Sequence, residues 1–237
     1  MGNENLVIIV PTYNEILNLS TLLLRIAQIK IPLTLLIVDD NSPDGTGELA
    51  TKLKKQYPFV NVLSRKEKQG LGSAYRAGFA WALEKGAEVV GEMDADLSHQ
   101  PEDLPKLIQA IKDGADVAIG SRRIPGGKII GWSWWRHFTS WSAMALARLI
   151  LNLKTKDITS GFRLYTKQSL QKIPWATVKS SGYAWQEELV YLCEKNNLKI
   201  VEVPITFIDR KFGKSKLHLK DVLEYFKTLW CLKFNNK

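Results

Sequence analysis

Two aspartates one residue apart, Asp94 and Asp96, follow the apolar segment Glu88–Met93. Carboxylate oxygens at this spacing in a turn are suitable ligands for a hard divalent cation, which often keeps waters and substrate phosphates as its other ligands. The same short pattern also occurs in acidic turns whose side chains only cap the backbone or face solvent. Its position directly after a buried strand, with other acids placed likewise, favours the metal site.

A second pair of acids, Asp39 and Asp40, ends the apolar segment Leu33–Val38. A carboxylate at the end of a parallel strand can accept hydrogen bonds from the base or ribose of a nucleotide. Residues 41–45 have the composition of a tight turn, so a turn and a binding site are both compatible with this segment. We expect Asp44 to serve the turn or the next helix, not a ligand.

A glycine pair, Gly70 and Gly72, opens a predicted helix. A helix N-terminus offers free N–H groups to an anion, whereas the same glycines also suit close packing or capping. Both interpretations stay open. Tyr75 stands where a dinucleotide fingerprint has its third glycine, so the sequence does not indicate that class of site.

Composition limits the class of protein. The chain has 237 residues, 45% of them hydrophobic and 24% charged, which is enough for one large folded domain. Its net charge of +9 attracts anions such as nucleic acid, phosphorylated substrates or an anionic membrane. Cys193 and Cys231 form no CxxC pattern, and we expect both to be reduced packing residues. His99, His137 and His218 lie too far apart to indicate a zinc triad, which favours surface or structural roles.

Apolar segments alternate with helical periodicity over the first half of the chain. The predicted strands are Leu6–Val10, Leu33–Val38, Val60–Ser64, Glu88–Met93 and Val117–Gly120, and the predicted helices are Ile16–Ile29, Thr46–Tyr57, Ser73–Lys85 and Pro101–Asp113. This alternation predicts an α/β fold with a mainly parallel sheet flanked by helices. Ligands bind such sheets beyond the carboxyl ends of the strands, where the acids and polar residues of this chain gather.

The second half of the chain is less regular. It predicts a flexible loop at Gly126–Trp132, a helix at Trp134–Leu151, loop and strand at Asp157–Tyr165, a helix at Gln186–Asn196, a strand at Lys199–Ile208, a basic loop at Asp209–Lys216 and a terminal amphipathic helix at Leu219–Leu232. The sequence shows no repeats and no linker, so one domain with a C-terminal elaboration is the simplest interpretation.

Seven motifs occur in order along the chain: Pro11-Thr-Tyr-Asn-Glu15, Asp39-Asp-Asn-Ser-Pro-Asp-Gly-Thr46, Gly70-Leu-Gly72, Asp94-Ala-Asp-Leu-Ser-His-Gln-Pro101, Gly120-Ser-Arg122, Ser160-Gly-Phe-Arg163 and Arg210-Lys-Phe-Gly-Lys-Ser-Lys216. Together they resemble the family 2 glycosyltransferases, and more narrowly the dolichol-phosphate or polyprenol-phosphate mannose synthases. The resemblance implies the GT-A fold, a Rossmann-like fold for nucleotide-diphospho-sugars. It implies one catalytic domain over residues 1–237, with a nucleotide-sugar-binding half at 1–123 and an acceptor-side half at 124–237.

The resemblance also implies the reaction, which is inverting transfer of a hexose, foremost mannose from GDP-mannose, to a polyprenyl phosphate. The implied cofactor is a divalent cation, Mg²⁺ or Mn²⁺. Transfer to a phosphate needs no strong general base, because the nucleophile is already anionic, and this agrees with the lack of a Ser–His arrangement. The reaction does need positive charge on the leaving diphosphate and on the incoming phosphate.

Residue roles follow from the same resemblance. The nucleotide pocket would be lined by Pro11, Tyr13, Glu15 and Asp39. The metal and the donor diphosphate would be bound by Asp94, Ala95 and Asp96. The donor or acceptor phosphates would be held by Arg122, Arg136, Arg210 and Lys216. Asp96, Arg122 and Arg136 would be the catalytic residues among them. Many family members have a metal-coordinating Gln where this chain has Ser98, which could reach the metal only through its hydroxyl or a water.

Aromatic residues mixed with cations predict contact with a lipid–water interface. One such segment places an arginine and a histidine among Trp132, Trp134, Trp135, Phe138 and Trp141. The terminal segment Leu219–Leu232 also mixes aromatic residues with lysines. Amphipathic helices that simply pack on a core show the same pattern. No signal peptide or segment of about 20 apolar residues is visible. We therefore expect a protein without a transmembrane domain that binds peripherally to the cytoplasmic face of a membrane, where a membrane-anchoring partner protein could assist.

Three other functions compete with this interpretation. A related family 2 enzyme could use UDP-glucose or glycosylate a saccharide, since sugar and base choice rest on few contacts. A dinucleotide-binding oxidoreductase would need the glycine fingerprint that is missing after the first strand. A nucleic-acid-binding module is favoured only by the net charge, and the carboxylate edge would repel its phosphates, so we expect no nucleic-acid partner.

Overall fold

The computed structural model describes residues 5–178, 180, 182–210 and 229–234. Its strands are β1 (Leu6–Thr12), β2 (Thr34–Asp39), β3 (Val60–Ser64), β4 (Val89–Glu92), β5 (Val117–Ser121), β6 (Lys128–Ile130), β7 (Arg163–Thr166), β8 (Ile200–Pro204) and β9 (Thr206–Ile208). Its α-helices are α1 (Ile16–Ile29), α2 (Thr46–Gln56), α3 (Leu71–Glu84), α4 (Leu104–Lys112), α5 (Trp134–Leu151), α6 (Lys167–Lys172) and α7 (Gly182–Lys195), and Pro101–Asp103 and Trp175–Thr177 form short 3₁₀ helices.

A seven-stranded central sheet has the order β3-β2-β1-β4-β7-β5-β8. β1 pairs in parallel with β2 and β4, β2 with β3, and β5 with β8. β7 lies antiparallel between β4 and β5, so β4 and β5 point in the same direction. The predicted α/β fold with a mainly parallel sheet is confirmed.

Side-chain alternation along β1 distributes the core over both faces of this sheet. Val7 and Ile9 join the residues of α3, α5 and α7, whereas Ile8 and Val10 join those of α1 and α4. All four side chains are almost completely buried. Helices packed on both faces hold the strands in register, and this fixes where the polar residues beyond the strand ends meet.

Two predictions for the second half are wrong. The segment Gly126–Trp132, predicted as a flexible loop, contains β6, and the predicted single strand Lys199–Ile208 divides into β8 and β9. β8 stays in the central sheet, whereas β9 turns away at Ile205 and pairs in parallel with β6. Pro204 is the last residue of β8, and the Ile205 N–H still donates to the Ser121 carbonyl of β5 (3.1 Å).

The predicted terminal helix, Leu219–Leu232, lies mostly outside the described residues. Residues 229–234 are helical; Leu229 is buried, whereas Trp230 and Phe234 are exposed. No helix in the described part of the chain has the length and apolar character needed to cross a bilayer.

Candidate functional site

The carboxyl ends of β1, β2, β4 and β5 meet at one edge of the central sheet, because these strands run in the same direction. Asp39 ends β2, Asp94 and Asp96 follow β4, and Arg122 follows β5. The predicted gathering of acids and cations at this carboxyl edge is confirmed.

The turn after β4, which we call the acidic turn, carries the two predicted metal ligands. One carboxylate oxygen of Asp96 accepts a hydrogen bond from the Ser98 N–H (3.0 Å), and the other is 3.6 Å from Arg210 Nε. The Asp94 side chain remains 36% exposed, so a ligand can reach its carboxylate. Leu97 has a φ of 62°, a left-handed conformation that a leucine holds only when the surrounding structure supports it.

His99 packs against the buried side of the acidic turn. It is 1% exposed, and its Nδ1 accepts a hydrogen bond from the Asp94 backbone N–H (3.3 Å). Its ring stacks on Phe162 with centroids 5.4 Å apart and meets the edge of Phe207 at 5.6 Å. Burial lowers the pKa of His99, although Asp94 opposes this effect. Because its Nδ1 accepts the Asp94 N–H, His99 fixes the direction of the Asp94 backbone.

Electrostatics at the acidic turn suit a cation. Burial raises the pKa of Asp94; His99 opposes the rise and Asp96 adds to it. A cation between two crowded carboxylates relieves their repulsion. Within the described ranges no three acidic, histidine or cysteine side chains converge on one point. A cation held by the two aspartates would therefore have to take its remaining ligands from water and phosphate, as Mg²⁺ commonly does.

Two other residues of the acidic turn were predicted to take part in binding. The Ser98 hydroxyl is buried and has no hydrogen-bond partner among the residues described, while the Ser98 carbonyl accepts the Ile208 N–H (3.0 Å). Ala95 is 3% exposed and belongs to the hydrophobic core. Ala95 could therefore offer a ligand only its backbone, and the role of Ser98 in metal binding stays a prediction.

The Ser160–Arg163 motif forms a wall beside the acidic turn. A Cβ added to Gly161 would lie 3.4 Å from a carboxylate oxygen of Asp94, so a larger residue would crowd this ligand. Ser160 Oγ donates a hydrogen bond to the Gly120 carbonyl (2.5 Å). Arg163 is fully buried and donates to three backbone carbonyls. This motif therefore shapes the site, and Arg163 stabilises it from within the core.

Asp39 lies buried beneath the carboxyl edge and is 3% exposed. One of its oxygens accepts hydrogen bonds from the hydroxyls of Thr12 (2.9 Å) and Ser42 (2.6 Å), and the other accepts the Ser42 N–H (3.1 Å). A Cβ on Gly47 would approach the second oxygen to 2.8 Å. Asp39 thus organises the turn between β2 and α2, and its contact with a nucleotide stays a prediction.

Pro11, Tyr13 and Glu15 lie at the end of β1 and the start of α1, next to β2. The ammonium of Lys68 stands 4.0 Å from the centroid of the Tyr13 ring, a cation–π distance. The Glu15 N–H donates to the Thr46 hydroxyl (3.0 Å), which ties this loop to α2. The predicted nucleotide-binding loop is therefore held in place and carries a cation that sequence reasoning missed.

Asp44 caps the helices on both sides of its turn, as predicted. One oxygen accepts the Thr46 N–H (3.0 Å) and the other accepts the Ile16 N–H (3.2 Å). Burial works to raise the pKa of Asp44, but these hydrogen bonds, with that of the Thr46 hydroxyl, lower it overall.

The glycine pair at the start of α3 serves packing. A Cβ on Gly72 would lie 2.3 Å from the Ser180 carbonyl oxygen and 3.1 Å from the Trp185 ring. Gly70 has a φ of 86°, which favours glycine. These contacts support the packing and capping interpretation of the pair, whereas anion binding at this helix start stays a prediction.

Arg122 is held by a buried carboxylate. Asp157, which is 0% exposed, accepts the Arg122 backbone N–H (2.8 Å), Nε (2.7 Å) and Nη2 (2.7 Å). Burial favours a higher pKa for Asp157, but Arg122 outweighs it and lowers the pKa. A phosphate would have to compete with Asp157 for this guanidinium, so the predicted phosphate contact of Arg122 stays a prediction.

The indole of Trp132 lies among three guanidinium groups. The central carbons of Arg136, Arg122 and Arg123 lie 4.2, 5.9 and 6.0 Å from a Trp132 ring centroid. We call these three residues the arginine cluster. Cation–π attraction to one ring offsets part of their mutual repulsion.

Asp209 connects the arginine cluster to the acidic turn. Arg136 Nη1 donates to one Asp209 oxygen (2.7 Å), and the Arg210 N–H donates to the other (3.1 Å). Arg210 in turn faces Asp96. The structure therefore brings the predicted residues Arg136 and Arg210 close to the acidic turn, whereas Lys216 lies outside the described residues.

Helix α5 has two apolar faces. Ser133 caps its start by accepting the Arg136 N–H (3.3 Å). Met144, Ala147 and Leu151 face the core. The opposite face carries Trp134 (75% exposed), Phe138 (53%), Trp141 (59%) and Leu149 (79%), which we call the exposed stripe.

Sequence reasoning missed Arg123, Asp157 and Asp209. The Arg122–Arg123 pair after β5 and the position of Asp209 next to a recognised motif were signals that could have drawn attention to two of them. Asp157 gave no local signal, because its partner Arg122 is 35 residues away in sequence.

A family model described as "Glycosyl transferase family 2" matches residues 7–174. The undecaprenyl-phosphate mannosyltransferase of Micrococcus luteus is 46% identical over 209 residues, which cover 88% of this chain and 86% of that protein. The polyprenol monophosphomannose synthase of Mycolicibacterium smegmatis is 44% identical over 222 residues, covering 93% and 84%.

The fold is also similar to that of a mannosyltransferase from Pyrobaculum calidifontis solved in complex with GDP-Man and Mn²⁺. The TM-score is 0.65 at 16% identity, covering 98% of this chain and 65% of that one. The GT-A fold implied by the sequence motifs is confirmed.

Proposed function

The chain belongs to glycosyl transferase family 2, and from this premise we propose that it transfers mannose from GDP-mannose to a polyprenyl phosphate. The observation that carries the proposal is the approach of Arg210 to Asp96 at the carboxyl edge, 3.6 Å apart. Carboxylates that would hold a cation lie here beside a guanidinium that would bind phosphate, and moving a sugar from a diphosphate to a phosphate needs both. The named activities of the relatives support the sugar and the acceptor class.

The acidic turn would hold the divalent cation, Mg²⁺ or Mn²⁺, through Asp94 and Asp96. When bound, this cation neutralises charge on the leaving diphosphate as a Lewis acid. The Ser98 N–H would keep the Asp96 carboxylate oriented before substrate binds, and His99 would hold the backbone at Asp94. The Mn²⁺ in the Pyrobaculum calidifontis structure supports this assignment.

Residues 1–123 would form the donor half of the catalytic domain. The loop from Pro11 to Glu15, with Tyr13 under Lys68, would line the nucleotide pocket. Asp39 would support this pocket from below and contact the nucleotide where its turn opens. The backbone at Ala95 would complete the wall next to the diphosphate.

Residues 124–237 would form the acceptor half. The acceptor and donor phosphates would be held by Arg136, Arg210 and Lys216. The guanidinium of Arg122, which is paired with buried Asp157, would add positive charge near these phosphates. The attacking phosphate oxygen is already anionic, so no side chain has to remove a proton. In-line attack at the anomeric carbon inverts its configuration.

The exposed stripe of α5 would bring the enzyme to the membrane that holds its acceptor. Exposed tryptophan and phenylalanine side chains beside arginines suit the boundary between headgroups and acyl chains. Arg148 lies two helical turns after Trp141 on the same side of α5 and would attract anionic lipid. This cation favours the bilayer surface over an anchoring protein as the partner of α5.

A transfer assay tests the function. The enzyme is given GDP-mannose or UDP-glucose, a polyprenyl phosphate, and Mg²⁺ or Mn²⁺; we expect mannosyl product only with a metal. Asp96→Asn should lower turnover by about a hundredfold or more, because the developing charge loses its support. The control Asp113→Asn changes an exposed aspartate at the end of α4 and should behave as the wild type. Undiminished turnover in Asp96→Asn would refute the metal assignment, and glucosyl transfer alone would refute the donor.

A further inference from the structure

The side chain of Gln100 folds back on the acidic turn and donates to two of its carbonyls. Gln100 Nε2 lies 3.1 Å from the Leu97 carbonyl oxygen and 3.1 Å from that of Ser98. The Ser98 carbonyl also accepts the Ile208 N–H (3.0 Å), so it is held from two directions. One amide group therefore constrains two successive peptide groups of the turn.

The oxygen of the same amide is held by helix α1. Arg25 Nη2 donates to Gln100 Oε1 (2.7 Å), and Arg25 Nε donates to Glu102 Oε1 (2.9 Å). The hydrogen bond from Arg25 lowers the pKa of Glu102 more than burial raises it, so Glu102 is charged at neutral pH and keeps Arg25 in place. Because a cation faces the oxygen of Gln100, its NH₂ group must face the turn.

The acidic turn needs such a support because of Leu97. A leucine with a φ of 62° is disfavoured, since its Cβ lies close to the following carbonyl oxygen, and it persists only where neighbours enforce it. The next residue, Ser98, donates its N–H to the Asp96 carboxylate (3.0 Å). Relaxation of Leu97 would rotate this N–H away from Asp96.

We propose that Gln100 is a positioning residue of the cation site, which keeps the Asp96 carboxylate oriented by holding Leu97 in its left-handed conformation. Arg25 acts on the turn through Gln100, whose amide it fixes. The inference rests on the proposed function, which assigns a divalent cation to Asp94 and Asp96. Gln100 is not a ligand of that cation, because its nitrogen is a donor and its oxygen faces Arg25.

A glutamate at position 100 separates this role from a merely structural one. A side chain that only tied α1 to the 3₁₀ helix Pro101–Asp103 would need no more than an oxygen facing Arg25. Gln100→Glu keeps that oxygen and strengthens the pairing by adding charge. It also replaces the donor that faces the two carbonyls with a second acceptor, so it should disturb the turn while the link to α1 stays intact.

Mn²⁺ binding in the presence of GDP, measured by calorimetry, tests the proposal. Gln100→Leu and Gln100→Glu should each weaken Mn²⁺ binding about tenfold, the lower end of what loss of a group supporting a metal ligand costs. Arg25→Met should weaken it less, and should add no further loss in the Gln100→Leu background. The matched control is Gln109→Leu, which removes an exposed amide bonded to Asp113 on α4 (2.8 Å) and should bind Mn²⁺ as the wild type does.

Hydrogen exchange of the Ser98 N–H, followed by NMR in the metal-free protein, gives a second measurement. Exchange should be faster in Gln100→Leu and Gln100→Glu than in the wild type or Gln109→Leu, and thermal unfolding shows that each variant is folded. Wild-type Mn²⁺ affinity in folded Gln100→Leu would overturn the proposal. So would wild-type affinity in Gln100→Glu, which retains the contact with Arg25 and decides the question even where the leucine variant fails to fold. Absence of Mn²⁺ binding by the wild type would instead refute the cation assignment of the proposed function.

Discussion

Replacement of Asp157 by Asn removes the charge that faces buried Arg122 but keeps the shape of the side chain. Asp157 is 0% exposed and receives three hydrogen bonds of 2.7–2.8 Å from Arg122. Loss of one partner of such a buried pair costs about 3–5 kcal/mol, because the other charge stays buried without compensation. For a domain of this size each kcal/mol lowers the melting temperature by about 2–4 °C, so Asp157→Asn should melt about 6–20 °C lower.

Urea and thermal unfolding followed by circular dichroism measure this loss. The control Glu88→Gln removes an exposed ion pair with Lys167 and should cost no more than about 1 kcal/mol. Because the folded pKa of Asp157 is lowered, its contribution is present above its unfolded pKa of about 3.9 and is lost as the pH falls through the folded value. The two proteins should therefore differ at neutral pH and converge in acid. A loss no larger than that of Glu88→Gln would refute the reasoning.

Two further predictions concern the membrane and the metal. Leu149→Ser should lower binding to anionic vesicles in flotation assays by about ten- to a hundredfold, since burial of a leucine contributes about 1.5–3 kcal/mol. Leu17→Ser, at a similarly exposed position of α1, should leave this binding unchanged, and equal behaviour of the two variants would argue against membrane contact by the exposed stripe. His99→Phe keeps the ring stacking but leaves the Asp94 N–H without its acceptor, so Mn²⁺ affinity in the presence of GDP should fall about 10–100-fold by calorimetry. His137→Phe is the control, and unchanged Mn²⁺ binding in His99→Phe would contradict a supporting role for His99.

Local pattern was sufficient for the first half of the fold. Buried parallel strands such as β1 are continuous apolar runs, and helices such as α1 repeat leucines at helical spacing. Pairing between distant segments has no such local signal. β6 is a three-residue strand between glycines, and only its pairing with β9 makes it a strand.

The same distinction applies to the site. Asp94 and Asp96 could be located from the sequence because their spacing and their place after a strand are local features, and the structure places both at the carboxyl edge. The roles of Arg122 and Arg123 depend on which carboxylates fold back against them, and neighbouring residues do not reveal this. The motifs therefore drew attention to Arg122, whereas Arg123, whose buried Nε has no acceptor among the described residues, became visible only in the structure.

Strand β9 is attached to both substrate regions at once. Ile208 donates to the Ser98 carbonyl in the acidic turn, and Phe207 packs on His99. The next two residues, Asp209 and Arg210, would serve the acceptor side, since Asp209 pairs with Arg136. Chimeras that exchange acceptor preference between relatives should therefore place their junction between Ile208 and Asp209. A junction inside β9 would transplant part of the donor machinery along with the acceptor segment.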